Sequence, residues 1–122
     1  LWGLHPSANP RSLKSKNKIT EDLKYIIGAL YGVINDKSIK VSLDNAEDYE
    51  RSIKYYLKYG GIIRFNNYSA FTTFYAKGGM EASGRTKDKE DSDKNKLANK
   101  YPKYAETYKR DNGRTEIRLL SQ

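Results

Sequence analysis

Apolar residues recur at helical spacing early in the chain: Leu23, Ile26, Ile27, Leu30 and Ile34 share one stripe over residues 22–36. Thr20 suits an N-cap, and Glu21 and Asp22 fall in the first turn, where the helix dipole favours anions. This predicts a first helix. Gly28 and Gly32 lie four residues apart on it, so they share a face on which another backbone can pack closely. Glycine inside a helix costs about 1 kcal/mol relative to alanine, so helix pairing is the expected compensation.

The period then changes. Ile39, Val41 and Leu43 alternate with Lys40 and Ser42, which predicts a strand over 38–43. A second helix is predicted from Ala46 to Lys58, with Tyr49, Ile53, Tyr56 and Leu57 on one side, Lys54 and Lys58 on another, and Gly60-Gly61 as its stop. Residues 62–65, the Asn66-Asn67 turn and residues 69–76 form an aromatic and β-branched pattern that predicts a β-hairpin. Asp111-Asn112-Gly113 is turn chemistry, and Ile117, Leu119 and Leu120 imply a last short element.

The polar stretches divide the chain. Residues 1–18 carry Pro6, Pro10, Arg11, Lys14, Lys16 and Lys18 and read as a basic extended arm without a core of its own. Residues 19–80 form the α/β core. Residues 81–110 are a charged insertion or loop, since 84–100 contain almost no apolar side chain; residues 111–122 complete the core. The expected fold class is α+β with an antiparallel sheet and flexible basic extensions.

Charge narrows the function. The 122 residues hold 23 Lys+Arg against 15 Asp+Glu, a net charge of +8. A small domain this basic fits a polyanionic partner, because neutralised phosphates release their counterions. Cysteine is absent, which excludes disulfides and thiolate metal sites, and His5 is the only histidine. No run of apolar residues is long enough to cross a membrane, so no membrane partner is expected. The abundance of Lys, Asn, Ile and Tyr suits an organelle genome or an AT-rich microbe, and a first residue other than Met suits a chain that is trimmed, processed or part of a longer polypeptide.

Several words in this order resemble the LAGLIDADG homing endonucleases and intron maturases of organellar introns. They are Tyr25-Ile-Ile-Gly-Ala-Leu-Tyr-Gly32 at the motif helix, Tyr59-Gly60-Gly61-Ile62-Ile63-Arg64-Phe65, and Asn112-Gly-Arg-Thr-Glu-Ile-Arg-Leu-Leu-Ser-Gln122. The resemblance covers about residues 19–80 and 111–122 and implies a LAGLIDADG-like single repeat: helix, strand, helix, β-hairpin and terminal element. In active members an aspartate at the end of the motif helix binds the catalytic metal; here Val33 stands at that position, with Asp36 three residues on. The resemblance therefore implies a protein without catalytic residues, metal or cofactor. Its expected partner is RNA, either rRNA or intron RNA, with neighbouring ribosomal proteins or a second LAGLIDADG-like repeat against Gly28 and Gly32.

A structural protein of a mitochondrial ribosome, or of a similar ribonucleoprotein, is the first expectation. Half of a homing endonuclease or maturase acting on DNA or intron RNA is the alternative, and a basic ribonuclease toxin is a second. The expected nucleic-acid contacts come from three places. The arm offers Arg11, Lys14, Lys16 and Lys18. If Ile63, Phe65 and Tyr75 face the core, the hairpin's other face offers Arg64, Asn66, Asn67, Thr72 and Lys77. The basic clusters of the second half offer Arg85, Arg110, Arg114 and Arg118. Tyr55, Tyr56 and Tyr59 could stack on bases. Asp44, Glu47, Asp48 and Glu50 are read as charges favoured at a helix N-terminus rather than as metal ligands.

Overall fold

The second predicted helix is the spine of the structure. It spans Glu47–Tyr59 (α1) and starts with Glu47, Asp48 and Glu50 in its first turn. Gly60 closes it in the left-handed conformation (φ 78°), which glycine adopts without a Cβ penalty. The computed structural model describes residues 1–72 and 86–122. Among these, the other elements are β1 (Trp2–Leu4), β2 (Ile19–Thr20), β3 (Tyr31–Gly32), β4 (Ile63–Phe65), α2 (Lys87–Lys100), β5 (Ala105–Lys109) and β6 (Thr115–Leu119). The result is an α+β domain with two helices and two sheets.

One sheet has the order β2-β4-β1-β3, in which β1 and β4 run parallel and the outer pairs are antiparallel. The other is the β5-β6 hairpin, turned at Gly113 (φ 77°) and packed on α2. Ile53 and Tyr55 of α1 join Leu23, Ile26 and Ile62 with Leu97, Ala105 and Ile117 in a single buried cluster. Gly3 of β1 lies over this core: a Cβ there would fall inside van der Waals contact of Ile26 Cγ2. Gly3→Ala is therefore expected to lower stability by about 1–3 kcal/mol, the usual cost of overpacking, read from the urea midpoint.

Several expected elements are not formed, for identifiable reasons. Residues 22–36 are not a helix. The Ile26 N–H donates to Ser52 Oγ (3.2 Å) and the Gly28 N–H to Asp48 Oδ2 (3.3 Å), so α1 takes donors that a helix would use internally. Gly28 is exposed and Gly32 sits beneath the Trp2 indole in β3, so the pair forms no helix-pairing face. Residues 38–43 are not a strand, because Glu50 accepts the Ser42 and Leu43 N–H groups (2.9 and 3.1 Å).

Of the hairpin expected over residues 62–76, β4 forms, but both its edges are occupied, by β1 and β2, and residues 69–72 are not a strand; residues 73–76 lie outside the described residues. The expected loop over 84–100 holds α2, capped by Thr86, whose side chain accepts the Lys89 N–H (3.2 Å). The basic arm is no free extension either, since its residues 2–4 form β1 inside the sheet.

Candidate nucleic-acid interface

The chain after β1 returns to the sheet as a basic segment that two asparagines fasten. Asn67 Nδ2 donates to the Leu13 and Ser15 carbonyls (2.7 and 2.9 Å). Asn66 Nδ2 donates to the Asn17 carbonyl (2.8 Å), and the Asn66 N–H donates to the Lys18 carbonyl (2.8 Å). The backbone is held and the charged side chains are left outside: Arg11, Lys14, Lys16 and Lys18 are all exposed. Among the described residues none of these four forms an ion pair, and residues 1–20 contain no carboxylate side chain.

Asn66 and Asn67 thus serve the fold, where the sequence suggested nucleic-acid contacts. Asn66 is 3% exposed, and its Oδ1 accepts the Arg64 Nε–H (2.7 Å), which orients that guanidinium. Arg64 is itself half-buried, on the core side of the sheet, while Ile63 is 42% exposed. The expected polarity of this strand is reversed. His5 lies close by: burial, and after it the nearby Arg64 charge, outweigh a hydrogen bond with the Ser7 backbone and hold its pKa below the ordinary 6.5. It therefore adds little charge at neutral pH.

The remaining expected contacts scatter. Thr72 is half-buried, and Lys77 and Arg85 lie outside the described residues. Arg110 and Arg118 belong to the β5-β6 hairpin or its turn and face carboxylates, Glu116 at 3.5 Å and Glu106 at 3.3 Å. Arg114 is exposed in the same turn, where its N–H donates to Asn112 Oδ1 (3.0 Å). Tyr55 is buried with its hydroxyl on the Ile34 carbonyl (2.7 Å), and Tyr56 is half-buried against Tyr104. Tyr59 stacks on Tyr55 and donates to Asp36 (2.6 Å).

The positions tied to catalysis are engaged or exposed. Asp36 accepts from Tyr59, from the Ser38 N–H and hydroxyl (2.9 and 2.7 Å), and from Lys58, which hold its carboxyl well below the usual range. Val33 is exposed. A cleft of about 600 Å³ opens between α1 and the hairpin, walled by the stacked rings of Tyr25 and Tyr49 (centroids 4.0 Å apart) with Asp48, Lys94, Arg110 and Glu116. Burial and then the Asp48 charge push both phenols well above their ordinary pKa, so they keep their protons at neutral pH. Glu116 already meets Lys94 (3.6 Å) and Arg110.

The signal that sequence reasoning missed is the outward face of the four-stranded sheet. Trp2, Ile19 and Ile63 are 43%, 55% and 42% exposed there, and Tyr68 (67%) and Phe71 (87%) follow β4. Register carries this assignment, because Trp2 pairs with Ile63, and Leu4 and Ile19 both pair with Phe65. Among the described residues no three His, Asp or Glu side chains converge to hold a metal ion, and no helix is long and apolar enough to cross a membrane. Compared with known proteins, the chain matches no family model, no curated protein and no solved structure.

Proposed function

We propose that this chain binds RNA as a non-catalytic component of a ribonucleoprotein, through the cations of residues 11–18. The carrying observation is that Arg11, Lys14, Lys16 and Lys18 stand exposed and, among the described residues, without ion-pair partners on a backbone that Asn66 and Asn67 hold in place. Elsewhere many cations already face carboxylates, as in Lys58–Asp36, Lys54–Glu50 and Arg118–Glu106. A fastened segment loses less conformational freedom on binding than a loose arm, which favours affinity. RNA is preferred over duplex DNA because exposed Tyr68 and Phe71 suit unpaired bases.

A phosphodiesterase reading finds less support. The Asp36 carboxylate is engaged by Lys58, Tyr59 and Ser38, and the Tyr25 and Tyr49 phenols stay protonated.

The test is anisotropy of a labelled single-stranded RNA with the whole chain at several salt concentrations. Four phosphate contacts on a single strand correspond to a slope of log K against log salt of about −3. The affinity should not change with EDTA. A salt-independent signal, or no binding near 50 mM salt where such contacts are strongest, refutes the reading.

A further inference from the structure

The outward sheet face is too apolar to be an ordinary wet surface. Neighbouring strands in register place Ile19, Phe65 and Leu4 in one row and Ile63 and Trp2 in the next. The Trp2 ring lies over Gly32, where any Cβ would collide with the indole, and meets Phe65 edge-on (6.2 Å, 82°). Even so, 43% of Trp2 remains exposed. Beyond the end of β1, the His5 N–H donates to the Tyr68 carbonyl (2.9 Å), so the chain carrying exposed Tyr68 continues alongside this sheet. Contiguous apolar surface rimmed by polar groups marks a binding face.

We infer that this face is a stacking platform for the bases of single-stranded RNA, whose phosphates lie against Arg11, Lys14, Lys16 and Lys18. The inference rests on the RNA reading above and specifies the form of RNA. Lys18 directly precedes Ile19 of β2, and residues 13–18 are fastened to the turn that ends β4, so cations and apolar rows border one another. A single strand is the ligand that carries both complements, a chain of phosphates and a series of exposed π-faces. A duplex stacks its bases inside and offers only backbone to such a surface. A second copy fits poorly, because it would bring two unneutralised sets of these cations together.

Trp2 is the only tryptophan, so its emission reports on this face alone. The whole chain would be titrated with an oligouridine of about a dozen nucleotides, and separately with an RNA duplex of equal length, following Trp2 emission and anisotropy. The single strand is expected to quench Trp2 and to bind about tenfold or more tighter than the duplex. Tyr68→Ala and Phe71→Ala are each expected to weaken single-strand binding by about 5- to 100-fold. Both side chains are largely exposed, so the denaturation midpoint and the duplex affinity should stay unchanged.

RNA binding with equal duplex affinity and unquenched Trp2 would overturn the platform while leaving the RNA reading intact. No binding to either form would overturn both. Trp2 emission that changes with protein concentration alone, or with vesicles containing phosphatidylserine but not with RNA, would assign the face to self-association or to lipid and overturn the inference.

Discussion

Glu50→Ala is expected to lower the stability of the domain by about 3–5 kcal/mol, a large share of the roughly 5–15 kcal/mol typical of a whole domain. Glu50 is fully buried on α1. Its carboxylate accepts the Ser42 and Leu43 N–H groups and the Ser42 hydroxyl, and pairs with Lys54 at 3.0 Å. Hydrogen bonds to a charged acceptor contribute about 1.5–3 kcal/mol each, and truncation would leave those donors without a partner. Thermal unfolding should move down by roughly 10–20 °C. Glu50→Gln keeps one oxygen for the two backbone donors and should cost less than half as much.

The same group gives a pH signature. Burial pushes the Glu50 carboxyl up, but the bonds from Ser42, Lys54 and Leu43 outweigh it and hold the pKa below 4.5. The folded chain thus binds this proton less tightly than the unfolded one. Its contribution is complete above pH 4.5 and is lost as the pH falls through the folded value. Urea midpoints measured on acidification should fall less steeply in Glu50→Gln than in the natural chain. Some slope should persist, because Asp36 and Asp91 are also held below their ordinary values.

Glu50 also explains much of what the residue pattern could and could not foretell. The alternation over 38–43 marks Ile39, Val41 and Leu43 as inward; Ile39 and Leu43 pack against the core, whereas Val41 is exposed. What it cannot show is that a carboxylate eight residues on takes the N–H groups a ladder would need. Residues 22–36 repeat the lesson. Leu23 and Ile26 of the stripe are buried, but Leu30 and Ile34 are exposed; Ser52 and Asp48 capture the backbone donors, and a helix of this length with two glycines has little stability of its own. The helix on which the LAGLIDADG resemblance was built has no counterpart at these residues.

Helix α1 was readable because Ile53 and its tyrosines cover a core and a glycine ends it within one residue of the expected stop. Helix α2 was not, because polar anchors hold it. Leu97 is its one buried apolar residue larger than alanine, while Asp93 accepts the Asn45 N–H and amide (3.2 and 2.8 Å) and Asp91 accepts the Thr115 N–H (3.2 Å). Periodicity has no purchase on such a helix. The site divides the same way. The arm's cations are visible in the sequence as charge without countercharge, whereas the outward turn of Ile63 depends on β1 and β2 flanking β4, a pairing of distant segments.

Replacing Arg11, Lys14, Lys16 and Lys18 together with serine is expected to weaken RNA binding by about 10²–10³-fold at low salt. Each cation that meets a phosphate contributes through counterion release, so its loss should reduce the salt slope by about 0.7 on a single strand. The slope of the quadruple variant should therefore approach zero. Stability should barely change, because the segment is held by the carbonyls of Leu13, Ser15, Asn17 and Lys18, which the substitutions retain. Removal of the two charges at Lys37 and Lys103, also exposed, supplies the contrast, compared charge for charge. If net charge alone drives binding, the loss per charge will be the same at both places. If the fastened segment is the interface, the Lys37→Ser/Lys103→Ser variant will stay within about twofold of the natural chain at the salt levels where the quadruple variant has lost its affinity.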